Sequence, residues 1–477
     1  MAASGRGKIP QISGRRLILL AAIVAAGCAL RAVNIARWPL WGDEGLTLLV
    51  SQWSFLHLFM APIDPTPGLY YAFHKIFLGP MVDVGAARSI SLVCGTLTIA
   101  ATYWLAREAR VPALLSAALV ALSFPLIDYS QEARAYALLV LLVTCSAAFF
   151  VRWTRLRQPG QLMPALLFGI LAFYTHPVAV FWVGPMLLAV ALIARRQSVQ
   201  PILWFILLAI PEIARLLAHD PNNFSWLSQA MPAEAGNTLS RALLPFRPSN
   251  LFAAAIALLL GWRIWVHRKS LEQWGRENRG AAIALAVLIS EPLLVWLFGF
   301  VVKPLFMTRT ILVAVPGFML GLALLLRFEH RCARYGIVGI YAASLLATGT
   351  TRQKEDWREI AQRVGSDGVL MCRASDAPAM RHALGRDNHM LLPSDQGPID
   401  LSGSPWPRAQ FEIISRKNRL PEAKRRGMAV DPNSYPVWPV RSGQIEQMAT
   451  KPVTLRQAIA YCDAVRLADR EPRYIAE

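Results

Sequence analysis

Long apolar windows recur through the first 350 residues of the chain, and no other feature constrains its fold as strongly. Each window is long enough, or nearly so, to cross about 30 Å of hydrocarbon as a helix. With 55% hydrophobic residues, the chain carries more apolar surface than one soluble core buries. The windows lie at about residues 17–36, 86–107, 112–127, 134–151, 161–176, 177–194, 201–217, 249–266, 281–302, 309–327 and 335–350. We therefore predict an all-α polytopic membrane bundle with about 11 transmembrane helices.

Clusters of Lys and Arg between the windows test this list of spans. Cytoplasmic loops carry an excess of positive charge, so basic clusters should fall in alternate loops. With a cytoplasmic N-terminus they do, from Arg107 and Arg110 to Arg327, Arg331 and Arg334. This register predicts a multi-pass protein of the inner (plasma) membrane with an extracytoplasmic C-terminal tail. Anionic lipid headgroups then account for the net charge of +19, and nucleic-acid binding is not expected.

The composition changes after the last window and divides the chain into two predicted domains. Residues 1–350 form the transmembrane domain, whose interfacial loop 37–85 holds two short amphipathic pieces broken by prolines. Residues 351–477 form a soluble extracytoplasmic domain, in which a strand-like DGVLMCR lies between helix-like stretches and predicts a small α/β fold. This domain also contains Cys372 and Cys462, and we predict a disulfide between them because the compartment is oxidising.

Two adjacent acids, Asp43 and Glu44, follow the first window in the sequence RAVNIARWPLWGDEGL. Paired carboxylates beside an apolar span are costly, so their presence there indicates a function. Many interfacial carboxylates are only solvated loop residues, but Trp38 and Trp41 place this pair at the membrane surface. If the loop is extended, the two side chains face opposite ways.

Further polar residues fall on the same predicted outer side of the membrane. They are Asp64, Lys75, Asp128, Glu132, Arg134, His176, Lys303 and Arg309. If the segment IDYSQEARAY is helical, Asp128 and Glu132 share one face. A carboxylate base beside a cationic clamp suits transfer of a group from a phosphate leaving group to a hydroxyl. Because no nucleotide-sugar pool exists outside the membrane, the donor of such a transfer would be anchored in lipid.

Four motifs occur in a fixed order on that side. They are Arg31 with Trp41-Gly42-Asp43-Glu44, Asp64-Pro65-Thr66-Pro67-Gly68-Leu69-Tyr70-Tyr71, Glu132-Ala133-Arg134-Ala135-Tyr136, and Pro304 with Arg309. Their order and spacing, over about residues 17–365, resemble the GT-C superfamily of integral-membrane glycosyltransferases. The resemblance is to the glycosyltransferase family 39-like group, which includes protein O-mannosyltransferases and the lipid A aminoarabinose transferase. The chain departs from that pattern in three places. Gly68 replaces the second proline, Asp64-Pro65-Thr66 stands where family members often have His or Lys before the proline pair, and Arg309-Thr310 replaces Arg-Tyr.

The resemblance implies a GT-C bundle that transfers a sugar, with inversion, from a polyprenyl-phosphate donor to an acceptor hydroxyl. It implies that Asp43 is the base and that Glu44 orients the loop or the acceptor. The acids further along would hold sugar hydroxyls or pair with Arg134, and the cations would neutralise the polyprenyl phosphate. The implied substrate-binding residues are Arg31, Trp41, Asp64, Tyr70, Asp128, Glu132, Arg134, Lys303 and Arg309. The sugar, the lipid, glycan or protein acceptor and a possible divalent cation stay open.

Two other functions remain alternatives at this point. A membrane transporter or flippase of lipid-linked sugars would carry inverted repeats and polar groups near the midplane, whereas the sequence has no repeat and its polar groups gather at one face. A non-catalytic scaffold would use its tail to bind partners, and neutralising Asp43 would then alter only the local charge. Glu132, Arg134 and Lys303 also have structural interpretations, as an ion pair or as interfacial anchors.

Overall fold

The computed structural model is predominantly helical. It describes residues 13–61, 66–79, 83–194, 199–218, 229–244 and 250–350, together with five short strands beyond residue 350. The helices are α1 (Gly14–Ala32), α2 (Gly42–Val50), α3 (Phe55–Met60), α4 (Leu69–Phe77), α5 (Val84–Glu108), α6 (Ala113–Ala121), α7 (Phe124–Asp128), α8 (Tyr136–Leu156), α9 (Pro159–Phe173), α10 (Val180–Ala194), α11 (Val199–Leu217), α12 (Pro232–Leu243), α13 (Asn250–Val266), α14 (Arg268–Glu277), α15 (Arg279–Val301), α16 (Ala314–Leu326) and α17 (Arg331–Thr348). The prediction of an apolar helical bundle is confirmed.

Each of the predicted windows coincides with one of these helices or with a bent pair. Within the described part of the chain, five helices are long and apolar enough to cross a membrane, and α6 with α7 makes a sixth if the bent pair counts as one span. That pair is bent by 62°. Other apolar helices, such as α16, are shorter than a full crossing. Several apolar helices indicate a multi-pass membrane protein, while the number eleven remains a prediction.

Helices α5 and α8 lie side by side at the centre and connect the two ends of the bundle. Helix α5 has 25 residues and is therefore about 37 Å long. At its C-terminal end Glu108 pairs with Arg155 at 2.5 Å and with Arg152 at 3.6 Å. At its N-terminal end lie the segment 37–61 and the turn between α15 and α16. We call this second end of the bundle the site end.

The segment 37–85 contains three short helices, α2, α3 and α4, where two amphipathic pieces were expected. Its prolines 62 and 65 lie outside the described residues. Gly68 begins α4 against α3, and a Cβ atom built on it would lie 2.3 Å from the carbonyl oxygen of Leu58. Only glycine permits this approach of two backbones. A proline at this position would bring its own Cβ atom into the same contact.

The C-terminal region contributes a five-stranded sheet in the order β2-β1-β3-β5-β4. Its strands are β1 (Val369–Met371), β2 (Met390–Leu391), β3 (Glu412–Arg416), β4 (Trp438–Pro439) and β5 (Ile445–Gln447). Strand β1 pairs in parallel with β2 and β3, whereas β5 pairs antiparallel with β3 and β4. β1 lies within the predicted strand DGVLMCR. The predicted helices of this domain and the Cys372 and Cys462 pair lie outside the described residues, so the α/β fold and the disulfide remain predictions.

Replacement of Gly68 by alanine tests the contact between α3 and α4. The new methyl group meets backbone rather than a flexible side chain, so Gly68→Ala should cost about 1–3 kcal/mol of stability and lower the midpoint of thermal unfolding in detergent. Gly184→Ala is the matched control, because nothing lies within 4 Å of a Cβ atom there. Equal unfolding midpoints for the two variants would contradict the proposed contact.

Candidate active site

Asp43 and Glu44 lie in the first turn of α2, where unpaired backbone N–H groups favour negative charge. The segment is therefore helical rather than extended, yet the two carboxylates still diverge. The side chain of Glu44 is fully buried, whereas that of Asp43 is 30% exposed. Of the two acids, Asp43 is the one that a substrate can reach.

Glu44 is held by Arg88, a residue of α5 that the sequence interpretation did not single out. Its Oε1 accepts from Arg88 Nε at 2.7 Å and from the backbone N–H of Ala133 at 2.8 Å, and its Oε2 accepts from Arg88 Nη2 at 2.6 Å. Arg88 also donates to the backbone carbonyls of residues 35, 38 and 39. Glu44 therefore fixes the loop that carries Asp43, which fits an orienting role.

Arg134 also contacts the start of α2. Its Nη1 donates to the backbone carbonyl of Asp43 at 3.2 Å and to the hydroxyl oxygen of Tyr71 at 3.3 Å. Its Nη2 donates to Thr66 Oγ1 at 3.3 Å, and Thr47 Oγ1 lies 3.4 Å from Nη1. Since the side chain is only 6% exposed, Arg134 is a fixed positive charge beneath Asp43.

Arg309 reaches Asp43 from the turn between α15 and α16. Its Nη1 lies 3.0 Å from Asp43 Oδ2, and its Nε donates to the sulfur of Met307. Thr310 folds this turn, because its hydroxyl donates to the backbone carbonyls of residues 305 and 307 and accepts from the N–H of Met307. The carboxylate of Asp43 stabilises the cationic guanidinium of Arg309 against the cost of its partial burial.

Arg31 is fully buried, and its guanidinium contacts backbone. Its Nη1 donates to the carbonyls of Gly27 and Ala121, and its Nη2 donates to that of Val120. In an unbroken helix the carbonyl of Ala121 would accept from residue 125, but Pro125 has no N–H. Arg31 therefore supplies the missing donor at the break between α6 and α7. Its predicted contact with substrate stays untested.

The acids Asp128 and Glu132 do not share a helix face, because the helical premise behind that expectation is wrong. Helix α7 ends at Asp128, a 3-10 turn follows over Tyr129–Gln131, and Glu132 has extended backbone. Asp128 is 2% exposed and Glu132 is 1% exposed. Both acids therefore belong to the packed interior of the site end.

The other predicted substrate-binding residues occupy varied positions. Tyr70 is fully buried, with its hydroxyl 2.8 Å from Ser91 Oγ, and burial raises the pKa of that hydroxyl. The Nε1 group of Trp41 is buried without a hydrogen-bond partner among the described residues. Lys303 is half-buried in the same turn as Arg309. Asp64 lies outside the described residues.

An apolar cavity of about 350 Å³ opens between α12, α15 and α16. Phe306 and Ala314 line it and lie on either side of Arg309 in the sequence. The remaining lining residues are Pro232, Ala235, Gly236, Leu239, Leu243, Ile289, Pro292, Leu293, Trp296 and Phe318. Its volume is within the range of cavities that bind small molecules. No group of three or more His, Cys, Asp or Glu side chains arranged for a metal ion occurs within the described ranges.

Residues 68–218 match the family model "Dolichyl-phosphate-mannose-protein mannosyltransferase". The resemblance to GT-C membrane glycosyltransferases is confirmed. The matched segment contains Arg88, Arg134 and the buried acids Asp128 and Glu132, whereas Asp43 and Arg309 lie outside it. The chain has no match among curated proteins.

Three solved structures are distantly similar to the chain. ArnT from Cupriavidus metallidurans, bound to undecaprenyl phosphate, is 15% identical, with 92% of this chain and 98% of that chain covered and a TM-score of 0.42. Apo ArnT is 14% identical, with 91% and 98% covered and a TM-score of 0.40. Arabinosyltransferase EmbB from Mycobacterium smegmatis is 13% identical, with 77% and 45% covered and a TM-score of 0.33.

Replacement of Arg88 by alanine tests the buried ion pair. The change leaves the carboxylate of Glu44 buried without its partner, which should cost about 3–5 kcal/mol and lower the unfolding midpoint strongly. Arg88→Lys keeps the charge but loses the planar fork of donors, so an intermediate midpoint is expected. Arg276→Ala is the control, since its pair with Glu272 is 3.7 Å long and exposed. A midpoint for Arg88→Ala equal to that of the control would contradict this role.

Proposed function

We propose that this chain is a glycosyltransferase that moves a sugar from a polyprenyl-phosphate donor to an acceptor hydroxyl at the extracytoplasmic membrane surface. One observation carries the proposal. The partly exposed carboxylate of Asp43 lies 3.0 Å from the guanidinium of Arg309, which a turn some 266 residues later brings to it. A base and a cation at one point are what transfer from a phosphate leaving group requires.

In the proposed reaction the acceptor oxygen attacks C1 of the sugar from the face opposite the phosphate. The bond between C1 and the phosphate oxygen breaks, and the polyprenyl phosphate leaves with the electron pair. Asp43 takes the proton of the acceptor hydroxyl, and the configuration at C1 is inverted. Arg309 stabilises the negative charge that develops on the leaving phosphate.

The surrounding residues keep the base in position. Glu44 and Arg88 fix the first turn of α2, so the carboxylate of Asp43 is presented from a rigid element. Arg134 is anchored by Tyr71 and Thr66, and it adds fixed positive charge close to the leaving group. Preorganised charge of this kind stabilises a transition state without a cost of reorganisation.

The donor class is supported by two further observations. The matched family is described by a dolichyl-phosphate-linked sugar, which is a polyprenyl phosphate donor. The apolar cavity between α12, α15 and α16 is lined by Phe306 and Ala314, close in sequence to Arg309. We propose that the isoprenoid chain enters this cavity while its phosphate meets Arg309 and Lys303.

Replacement of Asp43 by asparagine should abolish transfer while binding of undecaprenyl phosphate persists, because asparagine keeps the shape of the side chain but takes no proton. The measurement is mass spectrometry of envelope glycans and lipids from cells that produce either the wild-type or the Asp43→Asn protein. The sugar-bearing species present with the wild type should be missing with the variant. Wild-type levels of that species would contradict the assignment of Asp43 as the base.

Replacement of Arg309 by alanine should weaken undecaprenyl phosphate binding by about 2–4 kcal/mol, because a partly buried charge-assisted contact is lost. Binding of radiolabelled lipid to the purified full chain measures this effect. Lys75→Ala removes a cation from the same end of the bundle, where its Nζ donates to the carbonyl of Gln52, and should change the affinity little. Equal affinities for both variants would remove Arg309 from the phosphate site.

A further inference from the structure

The ion pair between Asp43 and Arg309 joins two groups that need to be separate during the proposed reaction. Asp43 Oδ2 accepts from Arg309 Nη1 at 3.0 Å, so the carboxylate is already paired with a cation when no substrate is bound. The donor phosphate, in turn, needs the same guanidinium. Carboxylate and phosphate are therefore competitors for one cation, and this inference rests on the proposed function.

The two arginines at Asp43 contact different parts of that residue. Arg134 is 6% exposed and donates to the backbone carbonyl of Asp43 and to the side chains of Tyr71 and Thr66. Arg309 has a side chain that is 23% exposed, and its Nη1 donates to the carboxylate of Asp43. The contact for which a phosphate can compete is therefore that of Arg309.

The backbone that carries Arg309 does not need to move for this exchange. Three hydrogen bonds of Thr310 fix the turn, so rotation of the Arg309 side chain is sufficient to redirect its guanidinium. Two residues that line the apolar cavity, Phe306 and Ala314, lie on either side of this turn in the sequence. An isoprenoid chain in this cavity would lie beside the turn that carries Arg309, within reach of which we place its phosphate.

We propose that the Asp43 and Arg309 pair is a latch that the donor opens: the polyprenyl phosphate takes Arg309 from Asp43 and thereby frees the base for the acceptor. The order of binding follows from this exchange. The donor enters first, and an acceptor that arrives earlier meets a carboxylate that is still paired with Arg309. The latch also keeps the base from acting on water or on stray hydroxyls when no donor is present.

A double-mutant cycle with radiolabelled undecaprenyl phosphate tests the competition in the purified full chain. Asp43→Asn should raise the affinity for this lipid about fivefold, because the phosphate no longer displaces a carboxylate. In an Arg309→Gln background the same change should alter the affinity by less than about twofold. Asp83→Asn, which removes a carboxylate that caps α5, is the control and should leave the affinity unchanged.

Each other outcome of this cycle is informative. Equal gains from Asp43→Asn in both backgrounds indicate charge repulsion alone and overturn the latch, and so does the absence of any gain. Both results leave the proposed function standing, since the wild type still binds the lipid. A wild-type protein that does not bind undecaprenyl phosphate overturns the proposed function and the latch together.

Carbodiimide labelling of Asp43 gives a readout that does not depend on the weakened binding of Arg309 variants. A carboxylate engaged by arginine is protected from the reagent, so undecaprenyl phosphate should increase labelling of Asp43 severalfold, as measured by peptide mass spectrometry. In Arg309→Gln the labelling should be high with or without the lipid, and labelling of Asp83 should not change. Unchanged or decreased labelling of Asp43 in the wild type on adding the lipid overturns the latch.

Discussion

The buried ion pair of Glu44 with Arg88 is the interaction on which the site end depends. Arg88 collects three backbone carbonyls from residues 35–39, and Glu44 accepts from the backbone of Ala133. The pair thereby joins the segment after α1, the first turn of α2, the start of α5 and the residues before α8. Two desolvated charges are favourable only because nearly every donor and acceptor is satisfied in this way. This ion pair tolerates little substitution, and it provides a rigid support for the helix turn that carries Asp43.

The adjacent acids Asp43 and Glu44 make different contacts because only Glu44 faces the interior of the bundle. Glu44 gives up its solvent to bind Arg88, whereas Asp43 stays partly exposed and meets Arg309. The two arginines divide in a similar way, since Arg134 donates to the backbone carbonyl of Asp43 and Arg309 donates to its carboxylate. The buried charges of Glu44, Arg88 and Arg134 thus lie around the partly exposed pair of Asp43 and Arg309. Such an arrangement suits a site where a proton and a phosphate group change partners.

Sequence reasoning was most successful where charge meets apolar surface. Each apolar window corresponds to helix in the structure, and Asp43, Arg134 and Arg309 lie together, as their common sidedness predicted. The partner of Glu44 was missed, although an arginine in the first turns of an apolar helix is a signal that it is paired. The break after Asp128 was also missed, because a run without glycine gives little local sign that packing will interrupt a helix. The alternation of apolar windows and basic loops predicts which residues lie on the same side of the membrane. The distances between those residues depend on how the helices pack.

The contact of Arg31 with the carbonyls of Val120 and Ala121 has a consequence for biogenesis. These partners lie 89 and 90 residues further along the chain, so α1 leaves the ribosome long before they are made. Until the bent pair α6 and α7 arrives, the guanidinium of Arg31 can be satisfied only by headgroups, water or its own helix. Final seating of the first helix is therefore deferred until the third window of the chain has entered the bilayer. Insertion of this bundle is expected to be cooperative across its first 130 residues rather than one helix at a time.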